Sequence, residues 1–339
     1  MQAINKPVSP AAASSPATPV APHRPAVLRW ALLLWVAAAS LALFAQGYVL
    51  FQATMVLSYA VALVGLNLLT GYNGQISLGH GAFYAIGAYA VAILTNQAGW
   101  PYWLGIPAAG AVCLAVGYVF GRPALKLQGL YLALATFALA VVTPQLLKHK
   151  SLDAWTGGVA GSVLTKPEAP FGLPLSADQW FYLFTLAVTA VMFLIARNLI
   201  DSGTGRAIRA VRDHALAAES MGVDNPHYKS MTFAVSAAFA GIGGGLSALA
   251  VQFVSPDSFT MFLSISLLVG VVVGGVGTLW GALFGAAFIM FVPDLAEKVS
   301  KDAAWGVYGV VLLVLIFTMP SGVMGFIAKV RGAMKPAKG

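Results

Sequence analysis

The sequence predicts an all-α fold, a polytopic transmembrane helical bundle of about ten spans. Three observations predict it. The 339 residues are 59% hydrophobic and only 9% charged, where a soluble domain carries about 25% charged residues. Apolar stretches recur from Val27 to Met319 with short polar connectors between them, the pattern of helices that satisfy their backbone hydrogen bonds internally in lipid. No period-2 alternation of apolar and polar residues runs through them, which excludes a membrane β-barrel.

The elements follow in order. Residues 1–26 are rich in Ala, Pro and Ser and hold little that can pack, so a disordered cytoplasmic tail is expected. Val27–Phe44, behind Arg24 and Arg29, shares features with a cleavable signal peptide. Its full-span length and long polar prelude favour an uncleaved first helix. The further spans are Ala53–Leu69, Ile76–Leu94, Trp103–Val119, Leu130–Leu146, Trp180–Ile195, Met231–Val251, Phe262–Val273, Leu279–Phe291 and Trp305–Met319. The transmembrane domain is thus 27–328, followed by a basic cytoplasmic tail at 329–339.

Ten crossings leave both termini on one side. With the tails in the cytoplasm, Lys6, Arg24, Arg29, Arg122, Lys126, Arg197, Arg206, Arg209, Arg212, Lys229, Lys329, Arg331, Lys335 and Lys338 are inside. Only Lys148, Lys150, Lys166, Lys298 and Lys301 are outside. That asymmetry matches the retention of positive charge in the cytoplasm. Phe262–Val273 and Leu279–Phe291 each fall short of the ~20 residues of a straight span. They form either a hairpin or one long helix. The single helix would carry the basic C-terminal tail outside, so the hairpin is expected.

Two connectors are long. The outer one, 148–179, contains Thr156-Gly157-Gly158 with Pro167, Pro170 and Pro174, and reads as an irregular periplasmic loop. The inner one, 198–230, carries Arg206, Arg209 and Arg212, which at about 100° per residue share one helix face. The Ala217-Ala218 pair follows on a short small-residue helix that Gly222 can end with a positive φ. Such a helix suits docking into a groove on a partner protein. The alternative is a solvated connector whose arginines hold anionic lipid headgroups.

Asn73, Gln75, Ser77 and His80 bring polar groups into an apolar stretch, where they should face protein or a water-filled path. Gln75, Ser77 and His80 either approach a translocation route or hydrogen-bond neighbouring helices and shape the bundle. A helix N-terminus with free N–H groups could there receive a substrate carboxylate. Gly277, Gly281 and Gly285 recur every four residues, as do Gly270 and Gly274. The spacing suits close helix packing, or sliding between two packed states.

Several classes are poorly supported. The lone Cys113, in an apolar run, can build neither a disulfide nor a thiolate metal site within one chain. The net charge of +8 sits in connectors without interleaved aromatics, so nucleic acid is not implied. No Gly-x-x-x-x-Gly-Lys-Ser/Thr loop or His-Glu-x-x-His site occurs, and no catalytic residue or metal site is proposed. No Asp or Glu falls within a predicted span, which disfavours a proton-coupled carrier.

Several segments carry a family resemblance. Asn67-Leu68-Leu69-Thr70-Gly71-Tyr72-Asn73-Gly74-Gln75-Ile76-Ser77-Leu78-Gly79-His80-Gly81-Ala82-Phe83 and Gly274-Gly275-Val276-Gly277-Thr278-Leu279-Trp280-Gly281 resemble the LivM type of branched-chain amino acid permeases of ATP-binding cassette (ABC) importers. Leu127-Gln128-Gly129-Leu130-Tyr131 and Thr156-Gly157-Gly158 agree with them. Leu216-Ala217-Ala218-x-x-x-Gly222 is similar to the Glu-Ala-Ala-x-x-x-Gly coupling loop of ABC permeases, with Leu216 in place of the first Glu and Glu219 three residues later.

The resemblance covers the chain from Val27 to the last span. It implies an ABC importer permease in the bacterial inner membrane that carries leucine, isoleucine or valine, with urea and short-amide permeases as close relatives. Implied partners are a second homologous permease, two cytoplasmic ATP-binding subunits and a periplasmic substrate-binding protein. ATP is then used by those partners, with no cofactor in this chain. Arg206, Arg209, Arg212, Ala217, Ala218, Glu219 and Gly222 become the ATPase-coupling surface. The reading from a different class is an autonomous secondary amino acid carrier.

Overall fold

A computed structural model describes residues 35–333 except 43, 46, 125–128, 171–173 and 302. The tail at 1–26, half of the span Val27–Phe44 and the end of the tail at 329–339 lie outside the described residues.

The protein is a helical bundle. Twelve helices are labelled here: α1 Tyr48–Asn67, α2 His80–Asn96, α3 Tyr102–Ala124, α4 Leu130–Leu147, α5 Ala177–Asp201, α6 Gly203–Asp213, α7 Ala215–Ser220, α8 Asn225–Val251, α9 Met261–Gly274, α10 Gly281–Val299, α11 Ala304–Thr318 and α12 Gly322–Ala333. Among the described residues seven stretches are long and apolar enough to cross a membrane: Tyr48–Tyr72, Tyr102–Arg122, Leu130–Leu147, Ala177–Asp201, Asn225–Val251, Pro256–Gly274 and Gly306–Val330.

Length and composition therefore do not reproduce the count of ten. Half of the first expected span lies outside the described residues, α2 has only 17 residues, and the last two turns of α10 carry Asp294, Glu297 and Lys298. The expected span Ile76–Leu94 is corrected: its helix starts at His80, because the chain is non-helical from Asn73 to Gly79.

Helix α8 is the core of the bundle and packs against α1, α2 and α3. Small residues make this possible, since in lipid the contact between helices depends on close approach rather than on expulsion of water. A Cβ on Gly244 would stand 1.9 Å from the Tyr84 carbonyl oxygen, and one on Gly87 2.1 Å from that of Gly241. Cys113 is buried in the same layer, its Sγ 3.3 Å from the Phe83 carbonyl.

The stretch 262–291 is a hairpin of two helices, α9 and α10. A Cβ on Gly281 would lie 2.6 Å from the Gly274 oxygen, and one on Gly285 2.1 Å from that of Gly270, so the helices run antiparallel with glycine against glycine. Gly277 is not part of that seam; it sits in the connecting turn at φ 76°.

Connectors expected on one side of the membrane touch one another. Ser162–Val163 pairs antiparallel with Phe253–Val254, Lys148 pairs with Asp257, and Asn96 donates to the Val163 carbonyl. The opposite set joins the end of α1, the α6–α7 connector and the α9–α10 turn.

Candidate translocation site and coupling surface

The site begins where α1 ends. After Asn67 the helix widens into one π turn, Leu68–Tyr72, and the Asn73 and Gln75 amides reach back to the Leu68 and Leu69 carbonyls at 3.2 and 3.1 Å. Gly74 then adopts φ 75°, a left-handed conformation that glycine takes without steric cost. The helix cannot continue, and the chain re-enters the bundle as non-helical backbone.

Four helices hold the re-entering segment. His80 Nδ1 lies 3.0 Å from Ser77 Oγ and Nε2 lies 2.6 Å from Ser236 Oγ on α8. Ser236 Oγ itself donates to the Gly65 carbonyl on α1 at 2.6 Å. Its single proton is thereby used, so His80 carries its hydrogen on Nε2 and accepts from Ser77 at Nδ1. The Leu78 amide donates to Thr136 Oγ1 on α4 at 3.0 Å, and the Gly81 amide to Ser264 Oγ on α9 at 2.9 Å.

Ser77 and His80 are thus buried and partnered within the protein. At the N-terminus of this half-helix, where free N–H groups were expected to await a carboxylate, three amides have partners within the protein. The Gly79 amide faces Ser77 Oγ, the Gly81 amide faces Ser264, and the Ala82 amide bonds to Gly79 O.

Gln75 is placed differently. With Asn73, Ile76, Leu132, Arg212 and Lys229 it lines a cavity of about 260 Å³ beside the α6–α7 connector. Both polar atoms of the Asn73 and Gln75 amides are buried without a hydrogen-bond partner among the described residues. Leaving one such group unsatisfied costs on the order of 1–3 kcal/mol.

Arg212 closes one side of this cavity. Its Nη1 donates to the Gly71 carbonyl at 2.7 Å, and its Nε pairs with Asp213 at 2.8 Å. Beyond Gly71 lies the α9–α10 turn. Asn67 Nδ2 donates to the Thr278 carbonyl at 2.7 Å, while its Oδ1 accepts from the Gly277 amide at 2.8 Å. A Cβ on Gly71 would fall 2.4 Å from the Gly277 nitrogen, so glycine is required where the three elements meet.

The connector itself is two helices. Ser202 caps α6 by accepting from the Gly205 amide, and Ile208 and Val211 face the bundle. The three arginines do not present one uniform face: Arg206 is exposed, Arg209 is half-buried, and Arg212 turns inward to Gly71. The short helix α7 ends before Gly222, which stands at φ 84°. Asn225 donates to the Ala215 carbonyl at 2.8 Å and approaches Glu219 at 3.5 Å, anchoring α7 to the start of α8.

Ala217 is exposed but Ala218 is buried at 5%, so the alanine pair does not form a shared outer surface. Instead Leu216 and Met221 are 85% and 84% exposed. Among sequence signals only their apolar character inside a polar connector marked them. Ser236, Ser264 and Thr136 carried no signal, being single hydroxyls in apolar helices.

The sequence model of the family described as the branched-chain amino acid transport system / permease component matches residues 48–319. The chain is 32% identical over 296 residues to the high-affinity branched-chain amino acid transport system permease protein LivM of Salmonella typhimurium and, equally, to LivM of Escherichia coli K12; the match covers 80% of this chain and 69% of each relative. The corresponding LivH protein of Escherichia coli K12 is 25% identical over 291 residues, 79% of this chain and 91% of the relative. No solved structure matches the chain. The matched residues run from the start of α1 to the end of α11 and include the broken helix, the connector and the glycine hairpin, and the chain belongs to the family of branched-chain amino acid transport system permease components.

Proposed function

We propose that this chain is the membrane-spanning permease subunit of an ATP-driven importer of branched-chain amino acids. It lies in the bacterial inner membrane with both termini in the cytoplasm. Its partners are a second homologous permease, two cytoplasmic ATP-binding subunits and a periplasmic substrate-binding protein. The resemblance to both LivM and LivH supports a paired permease. The distribution of Lys and Arg supports the orientation.

The observation that carries the proposal is the exposed pair Leu216 and Met221 on a charged connector. Two large apolar side chains beside the arginines of α6 are suited to a partner's groove, where burial is favourable. Closure of the ATP-binding subunits would press on α6 and α7. Arg212 links that movement to Gly71, and Asn67 extends it to the α9–α10 turn. The translocation route then opens at the Asn73–Gln75 segment, while Ser77 and His80 keep the half-helix in place.

Affinity purification of the tagged chain in mild detergent, with mass spectrometry and an ATPase assay, tests this. Recovery of a second permease and of ATP-binding subunits is expected. A chain that purifies alone and still moves amino acids into liposomes would establish an autonomous carrier instead.

A further inference from the structure

The cavity beside the broken helix has the composition of a binding site. We infer that it receives a small molecule bearing a carboxylate next to an apolar group, and that its occupant is the transported amino acid on its way into the cytoplasm. The naming of that occupant rests on the importer reading; the chemistry of the site does not.

Two cations stand on the wall, Arg212 and Lys229. Arg212 commits Nη1 to Gly71 and Nε to Asp213, which leaves its Nη2 edge available. Lys229 forms no ion pair among the described residues, and no carboxylate lines the cavity. Asp213 offsets part of the Arg212 charge from outside the lining, so an anion meets its net attraction mainly at Lys229, with the free Nη2 edge of Arg212 beside it.

The amides of Asn73 and Gln75 add two carbonyl oxygens and two NH₂ groups, buried and unpartnered. These atoms lie just behind the cavity surface; turned into the cavity, the oxygens would accept from an ammonium and the NH₂ groups would donate to a carboxylate. The rest of the wall includes Ile76, Leu132 and Val211, an apolar surface for an aliphatic side chain. The volume of about 260 Å³ lies just under the ~300 Å³ at which drug-sized pockets begin, so the occupant is small.

The test uses the assembled importer in inside-out membrane vesicles. Ile76, on the wall and 49% exposed, is changed to cysteine (Ile76→Cys) and labelled with a membrane-impermeant maleimide; the native Cys113 is buried. Leucine, isocaproate (carboxylate without ammonium), leucinol (ammonium without carboxylate) and inorganic phosphate are compared as protectants. Ala215→Cys provides a second reporter on the wall should the first variant fail to accumulate.

Leucine and isocaproate are expected to slow labelling about tenfold at ten times their dissociation constants. Leucinol and phosphate should not, and Lys229→Gln should abolish the protection. Labelling indifferent to both carboxylates, or slowed equally by leucinol, overturns the site. Protection by phosphate alone overturns the carboxylate assignment in favour of a phosphate or lipid headgroup. Leucine uptake by intact cells separates the two readings: uptake without protection removes this site only, whereas isocaproate protection without uptake removes the importer of leucine and keeps the site.

Discussion

Arg212 Nη1 donates a hydrogen bond to the Gly71 carbonyl at 2.7 Å, joining the α6–α7 connector to the point where the helix formed by α1 breaks. The Gly71 carbonyl belongs to the widened π turn, so it is free of a regular helical partner and available to a cation. A long cationic side chain that bends inward gives up rotamer freedom for one charge-assisted bond. That loss makes sense if the connector and the break move together.

Arg212→Gln should therefore separate the connector from the break. A bond to a charged group contributes about 1.5–3 kcal/mol, discounted here because the Arg212 side chain is 38% exposed. Transport should fall roughly tenfold, while the ATP-binding subunits still copurify and their ATPase activity persists. Transport and ATPase falling in parallel would instead indicate loss of docking.

Asn67 makes a second such link, using both ends of its amide on the α9–α10 turn. Asn67→Asp keeps the acceptor for the Gly277 amide and sets a charge against the Thr278 carbonyl. It should destabilise the purified chain by about 1–3 kcal/mol, the cost of an unsatisfied buried partner, read as a lower melting temperature in detergent. Asn67→Gln, which retains donor and acceptor one methylene further out, should lose less.

His80 makes a different prediction, because it bonds only within the bundle. His80→Ala removes the ties to Ser77 and Ser236 and leaves their hydroxyls without that partner. Membrane hydrogen bonds of this kind average about 0.6 kcal/mol in double-mutant cycles, so thermal stability should drop modestly for each lost bond. The cycle of His80→Ala with Ser236→Ala should show coupling; strict additivity would argue against the contact.

The bundle was legible in the sequence because apolar length and connector charge are chain-local properties. The hairpin at 262–291 followed from charge retention alone. The break at Asn73 was legible only as a crowd of polar residues, since which of them would be partnered depends on distant helices. Ser236 and Ser264 illustrate the difficulty: helical serines commonly bond their own backbone, as Ser58 and Ser230 do here. Periodicity put three arginines on one face of α6, yet a flexible side chain is aimed by tertiary packing, and Arg212 found Gly71.

The glycine seam gives a prediction with its own control. Gly285→Leu places its first side-chain carbon 2.1 Å from the Gly270 oxygen, a contact that only separation of α9 and α10 can relieve. The yield of folded protein should collapse, as seen by size-exclusion chromatography. A Cβ on Gly306 would meet nothing within 4 Å, so Gly306→Ala should leave the yield unchanged. Had the seam been a sliding surface only, Gly285→Ala would lower transport while leaving folded yield intact.

Leu216 and Met221 carry the docking argument to its test. Burying a Leu or Met side chain at an interface is worth about 1.5–3 kcal/mol, so Leu216→Ser or Met221→Ser should weaken association of the ATP-binding subunits roughly 10- to 100-fold. Because both residues are more than four-fifths exposed in this chain, its own melting temperature should not change. Ala218→Trp should do the reverse. Ala218 is buried and its carbonyl accepts from the Val223 amide at 3.0 Å, so a bulky ring there disturbs the seating of α7 on α8 and lowers the yield of the chain itself. Copurification that survives both serine variants would remove Leu216 and Met221 from the interface and leave the arginines of α6 and the exposed Ala217 and Glu219 as its candidate contacts.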